Sequence, residues 1–120
     1  MGSSVFQPVW PRRGFLAVAL AMLLGFEVGP RVGIAMDAYA MIKHGWHCGS
    51  VIGVVGAAAT AAKLRGLDAA QTEDAIGIAT TQACGLMAAQ YESMVKRMNQ
   101  VCTDVQGTIT TFAVDHLAFS

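Results

Sequence analysis

The side chains most able to do chemistry crowd into one short segment, 43–50 (KHGWHCGS), where His44, His47, Cys48 and Ser50 stand among Gly45 and Gly49. Histidine can take up or release a proton near neutral pH, and His47 is placed just ahead of a helix expected from residue 51. The N–H groups of that helix's first turn, from about Ser50 to Ile52, could hold a carboxylate, which would put a proton-transfer group and an anion site side by side. The competing reading is a histidine that only shapes the loop. Ser50 reads first as the N-cap of the helix and second as a hydroxyl contact to a bound substrate. Trp46 reads as a packing residue that fixes the loop. A second pair, Lys96 and Arg97 beside Glu92, offers a point charge and a planar fork for carboxylates, or else a solvated basic turn.

Other chemistries fit less well. His44, His47 and Cys48 spell H-x-x-H-C, with Cys84 or Cys102 available as a fourth zinc ligand. Adjacent His47 and Cys48 cannot easily both face one ion from a short loop, and no second ligand pair sits at a familiar spacing, so no metal is expected. The glycine-rich text contains neither G-x-G-x-x-G nor G-x-x-x-x-G-K-[ST], which removes a nucleotide loop. Eight basic residues balance eight acidic ones, leaving no basic stripe for nucleic acid. Three widely spaced cysteines, an odd number, argue against a secreted disulfide scaffold and for a reducing compartment, cytoplasmic with the mitochondrion as the alternative.

The elements that must position these residues are helices. Of 120 residues, 54% are hydrophobic and only 13% charged, against about a quarter charged in an ordinary soluble domain. A chain this short buries only about two-thirds of its unfolded surface, so its surplus apolar area calls for a partner, a further domain or a membrane. Residues 1–13 contain two of the three prolines and read as an irregular lead-in. From Gly14 the period is helical on one face (Phe15, Val18, Ala19, Met22, Phe26), and the opposite face is apolar too. Such a helix is expected to be buried all round, with Gly25, Gly29 and Gly33 as a seam for another helix, a kink at Pro30, a Glu27–Arg31 pair, and continuation to about Ile42. Its most hydrophobic run, 14–26, follows Arg12 and Arg13 and so imitates a secretory signal. At about 13 residues it falls short of the roughly 20 that span a bilayer, so a membrane is not expected. A second helix is expected over 51–65, stopped by Gly66. A third is opened by Asp68 with Gln71 at the capping-box position and runs to about Cys84. Beyond Asn99 the alternation of Thr and Val suggests strand as much as helix, and 100–120 stays unassigned.

Three stretches, GFEVGPRVG at 25–33, GWHCGSVIGVVGAAATAAKLRGLDAAQTEDAIGIATTQACGLM at 45–87 and MVKRMN at 94–99, together resemble the helical domain of the MmgE/PrpD family, which includes 2-methylcitrate dehydratase and cis-aconitate decarboxylase. The resemblance implies an all-α fold for 14–99, a partial helical domain with three main helices. It implies a lyase that removes water or CO2 from a citrate-like tricarboxylate, working as a homodimer without metal or organic cofactor. It also implies that His47 matches the family's active-site histidine and Lys96 its pocket lysine; beside them Arg97 could assist by bidentate pairing with a carboxylate, and the Ser50 hydroxyl is a secondary contact to substrate. Two features depart from the family: Asn99 stands where a histidine is usual, and the text after it no longer matches. On this reading the chain is a slice of a longer enzyme and inactive alone. The rival expectation is a non-catalytic helical fragment that associates with a full-length relative, and the third is a small membrane-associated protein anchored by residues 14–26.

Overall fold

The computed structural model describes residues 12–91 together with 93, 94 and 97. Through residue 90, within the described residues, the elements in chain order are the α-helices α1 (Arg12–Ala35), α2 (Ala38–Lys43), α3 (Cys48–Arg65) and α4 (Ala69–Thr80), then a 3-10 turn at Met87–Gln90. The described residues are all-α, as the periodicity requires. Among the described residues the sole β feature is an isolated antiparallel bridge between Trp46 and Leu86. The unassigned tail 100–120, Lys96, Asn99, Cys102 and residues 1–11 of the expected lead-in lie outside the described residues. Arg12 and Arg13, also given to the lead-in, already belong to α1.

The centre of the assembly is α3, packed along α1 on one side and α4 on the other, with α2 touching α1 and α3 at their ends. Its inward residues are Val51, Val54, Val55, Ala58, Ala59 and Ala62, all buried. Val54, Val55 and Ala58 join Ala79 of α4 in the core, flanked by Val28 and Val32 of α1, Ile76 of α4 and Ala83. Alanines and valines dominate because the helices approach closely. At the α1–α3 crossing the buried line of α1 is Ala21, Gly25, Gly29 and Gly33, one residue per helical turn. A Cβ on Gly25 would collide with the Thr60 hydroxyl and come within 2.7 Å of the Gly56 carbonyl oxygen. The glycine seam is therefore a backbone-to-backbone contact.

Local signals set most of the helix ends. Gly66 closes α3 in the left-handed conformation (φ 68°), its N–H bonded back to α3 carbonyls. Asp68 and Gln71 form the expected capping box: Gln71 N–H donates to Asp68 Oδ1 at 2.9 Å, and Asp68 N–H donates to Gln71 Oε1 at 3.2 Å. Replacing Asp68 with Ala should remove about 1 kcal/mol of stability, as other lost N-caps do, and lower the urea midpoint followed by helical circular dichroism. An unchanged midpoint would show that the box contributes nothing here. The Glu27–Arg31 pair forms, with Arg31 Nε donating to Glu27 Oε1 at 2.6 Å, but both side chains are exposed and the pair contributes little.

Four expectations are corrected. The first helix does not run to Ile42: it passes Pro30 and stops at Ala35. Asp37 then adopts φ 53°, tolerable for aspartate, and its carboxylate accepts from Ala40 N–H to start α2 afresh. The helix from Asp68 ends at Thr80 rather than Cys84, because the Thr80 and Thr81 hydroxyls donate to the carbonyls of Gly77 and Ile78 while the backbone tightens into turns. The apolar face of α1 is not buried all round: Phe15, Leu20, Leu23, Phe26 and Ile34 are exposed, Ile34 by 80%. Only the line Ala21–Gly25–Gly29–Gly33 is fully buried, with Val28 and Val32 partly covered, since α3 covers one side of α1 and α4 packs on the far side of α3. Finally, the apolar stretch is longer than 13 residues. Within Arg13–Ala35 an 18-residue window has mean hydropathy 1.7, so by length and composition α1 could cross a membrane, because the Glu27–Arg31 pair interrupts its hydropathy without ending the helix.

Candidate functional site

The loop between α2 and α3 is fixed from both sides. His44 ends α2, its ring Nδ1 donating to Ala40 O at 2.7 Å, which leaves His44 as a helix-end histidine. Three residues later the chain crosses segment 85–87. His47 N–H donates to Gly85 O at 2.9 Å and Met87 N–H donates to Gly45 O at 2.7 Å, with Trp46 and Leu86 paired between them. Gly85 takes φ 140°, open to glycine alone among common residues, and this lets the chain double back toward α3 after α4. Trp46 thus fixes the loop mainly through its backbone; its side chain is 43% exposed.

The first turn of α3 differs from the sequence expectation. Its N-cap is His47 (φ −85°, ψ 109°), and Ser50 sits three residues inside the helix. The His47 ring folds over the turn, so that Nδ1 accepts from Ser50 N–H at 3.1 Å and lies 3.1 Å from Ser50 Oγ. A backbone N–H can only donate, so Nδ1 is an acceptor and the neutral ring carries its proton on Nε2. Ser50 is 3% exposed, held behind the ring and not facing solvent. Gly49 makes the fold-over feasible, because a Cβ there would press to 3.1 Å from the ring Cε1.

This cap also changes the anion site expected from Ser50 to Ile52. Ser50 N–H is taken by the His47 ring, and Val51 N–H donates to His47 O at 3.1 Å as the first full helical bond. Ile52 lies deeper in the same ladder. The first-turn donors ahead of them belong to Cys48 and Gly49, so any anion held by this terminus sits before the expected Ser50–Ile52 stretch. Of the four candidate residues, the structure brings His47 and Ser50 together. Arg97 is exposed on a helical turn, and Lys96 is outside the described residues. Among the described residues no three His, Cys, Asp or Glu side chains group as metal ligands.

A groove of about 740 Å³ opens beside this loop between α1 and α3. Its walls include Met22 and Phe26 of α1 and Cys48, Ile52, Thr60 and Leu64 of α3. Among the described residues nothing cationic lines it. An apolar wall cannot compensate for stripping water from carboxylates, so the groove suits a hydrophobic side-chain array and not a tricarboxylate.

An all-α sheaf with glycine-seamed helices, its central helix capped by a histidine from a pinned loop, defines a helical-domain architecture in which the loop is the polar focus. The chain matches the MmgE/PrpD N-terminal domain over residues 9–111 and belongs to that family. It is 57% identical over 79 residues to the cis-aconitate decarboxylase-like protein oryM of Aspergillus oryzae, covering 66% of this chain and 16% of that protein. It is 53% identical over 81 residues to cis-aconitate decarboxylase of Aspergillus terreus, covering 68% of this chain and again 16% of the relative. The aligned part therefore spans about a sixth of the relatives' length. No solved structure matches the chain.

Proposed function

We propose that this chain is a segment of the helical domain of a lyase acting on a citrate-like tricarboxylate, with decarboxylation of cis-aconitate favoured over dehydration. The observation that carries the reading is the 53–57% identity to a cis-aconitate decarboxylase and a cis-aconitate decarboxylase-like protein. The family match supports it by spanning His47, Ser50, Lys96 and Arg97.

A tricarboxylate needs cations and N–H donors around it. In this reading Lys96 supplies a point charge and Arg97 a bidentate fork. His47 presents Nε2–H, the donor that its Nδ1 cap fixes, to a substrate carboxylate; to give a proton to carbon the ring must first take a second proton on Nδ1, with the cap opened. Ser50, buried behind the ring, is a positioning residue that holds the tautomer, and this is a better use of its geometry than direct substrate contact. Proton transfer through Nδ1 would require the cap to open, so the capped ring favours a donor role over a general base.

Several groups must be fixed together for such chemistry, and the described residues assemble only His47 and Ser50. The isolated chain is therefore inert. Incubated with cis-aconitate or 2-methylcitrate it should give no turnover above buffer. Residues 25–98 transplanted into the matching segment of the Aspergillus terreus decarboxylase should preserve that enzyme's turnover of cis-aconitate. Turnover by the isolated chain would refute the segment reading, and a dead but folded chimera would refute the assignment to this reaction.

A further inference from the structure

His47 sits in a loop, yet hydrogen bonds hold its backbone on both sides. Its N–H donates to Gly85 O at 2.9 Å, which fixes the peptide plane before it, and Val51 N–H donates to its carbonyl at 3.1 Å, which fixes the plane after it. Between two fixed planes the Cα–Cβ bond has one direction, the one from which Nδ1 reaches Ser50 N–H. The second plane is set within α3 itself. The first depends on a residue beyond the end of α4. Gly85 holds φ 140°, well outside the left-handed region that asparagine or aspartate tolerates, so an L-residue there must leave it. Because φ turns about the N–Cα bond, bringing it to a negative value swings the Gly85 carbonyl off His47 N–H. Met87 N–H closes the same crossing from the far side of the Trp46–Leu86 pair, donating to Gly45 O at 2.7 Å.

We propose that Gly85 is a positioning residue for His47: its carbonyl, with the Met87–Gly45 bond closing the crossing, keeps the ring over Ser50 in the Nε2–H tautomer. This rests on the lyase reading only where turnover is the readout. In that reading a substrate carboxylate meets Nε2–H, and a ring that swung off the turn or moved its proton to Nδ1 would offer the donor from a different place. Gly85 itself touches no substrate; it acts through His47.

Three variants of the full chain separate positioning from stability. Gly85→Ala displaces the carbonyl. Met87→Pro deletes the Met87 N–H alone: Leu86 is already extended (φ −102°, ψ 141°), as suits a residue before proline, and position 87 opens the 3-10 turn, where proline is accommodated. Gly66→Ala is the control. It forces alanine into φ 68° at the opposite end of α3, with nothing within 4 Å of the new methyl, and so weakens the fold without touching the crossing. Nitrogen-15 NMR at about pH 8, where imidazole is neutral, reads which ring nitrogen carries the proton. His44 is an internal reference of the opposite tautomer, since its Nδ1 donates to Ala40 O. His47 should be wholly Nε2–H in the parent and in Gly66→Ala. In Gly85→Ala and Met87→Pro it should become a mixture of tautomers, with about tenfold faster exchange of the Ser50 amide and His44 unchanged. Where Gly85→Ala fails to fold, Met87→Pro decides. A His47 ring that stays wholly Nε2–H when the crossing is altered, or that loses its tautomer equally in Gly66→Ala, overturns the proposal. In the full-length chimera Gly85→Ala should lower kcat by about 10–10²-fold and add no further loss on top of His47→Asn, because both act through one ring. Equal losses with and without His47 would show that Gly85 serves the fold and not the ring, which also overturns it. A parent chimera without turnover refutes the lyase reading and leaves the ring measurement, made without substrate, to decide this one.

Discussion

In a full-length chimera carrying residues 25–98, His47→Asn should lower kcat by about 10²–10⁴-fold while leaving stability within about 0.5 kcal/mol of the parent. The pairing of substitutions matters more than either alone. His47 has two separable duties: its ring caps α3 through Nδ1, and its Nε2–H is proposed to face substrate. Asparagine is among the best N-caps, so its side-chain oxygen can take over the bond from Ser50 N–H, yet it cannot transfer a proton at neutral pH. His47→Ala removes both duties and should cost the same activity plus about 1 kcal/mol of stability. If His47→Asn retains full turnover, the histidine is only a cap, and the catalytic assignment fails. If kcat and the melting temperature fall together in His47→Asn, the cap cannot be separated from the chemistry and the donor role assigned to Nε2–H is lost. A rise in KM with kcat preserved would identify His47 as a carboxylate contact without a part in proton transfer.

What the sequence made legible follows from how local each signal is. Gly66, the Asp68–Gln71 box and the Glu27–Arg31 pair each depend on residues within four positions of one another, and all three are present. The cap of α3 was misplaced by three residues because serine is an ordinary capping type and histidine is not. Only the crossing of 45–47 with 85–87, some forty residues apart in sequence, holds the His47 backbone so that its ring reaches Ser50 N–H. The break at Asp37 had a readable sign, an aspartate three residues ahead of Ala40, but the apolar period running through it masked the stop. Burial of α1 was overstated for a different reason. Hydropathy reports that a surface favours leaving water, not what covers it, and the aligned part spans 16% of the relatives' length.

The glycine seam yields a second large effect, and its sign separates close helix approach from helix propensity. A glycine in a helix interior costs about 1 kcal/mol relative to alanine, so Gly→Ala stabilises wherever there is room. Gly77 of α4 is exposed and has nothing within 4 Å of a Cβ, and Gly77→Ala should therefore stabilise by about 0.5–1 kcal/mol. Gly25→Ala should do the reverse, destabilising by about 1–3 kcal/mol after the propensity gain, and Gly25→Val should prevent α1 from seating on α3. The obstacle at Gly25 has two parts: the Thr60 hydroxyl, itself donating to Gly56 O at 3.0 Å, and that same Gly56 carbonyl, 2.7 Å from the added methyl. A side chain can rotate away and a carbonyl inside a helix cannot. Thr60→Ala should consequently rescue Gly25→Ala only in part, leaving the backbone clash as the larger share. Urea titration of the four proteins in the cycle measures this directly. Full rescue by Thr60→Ala would mean that the hydroxyl alone sets the spacing, and a stabilising Gly25→Ala would show that α1 and α3 do not meet backbone to backbone.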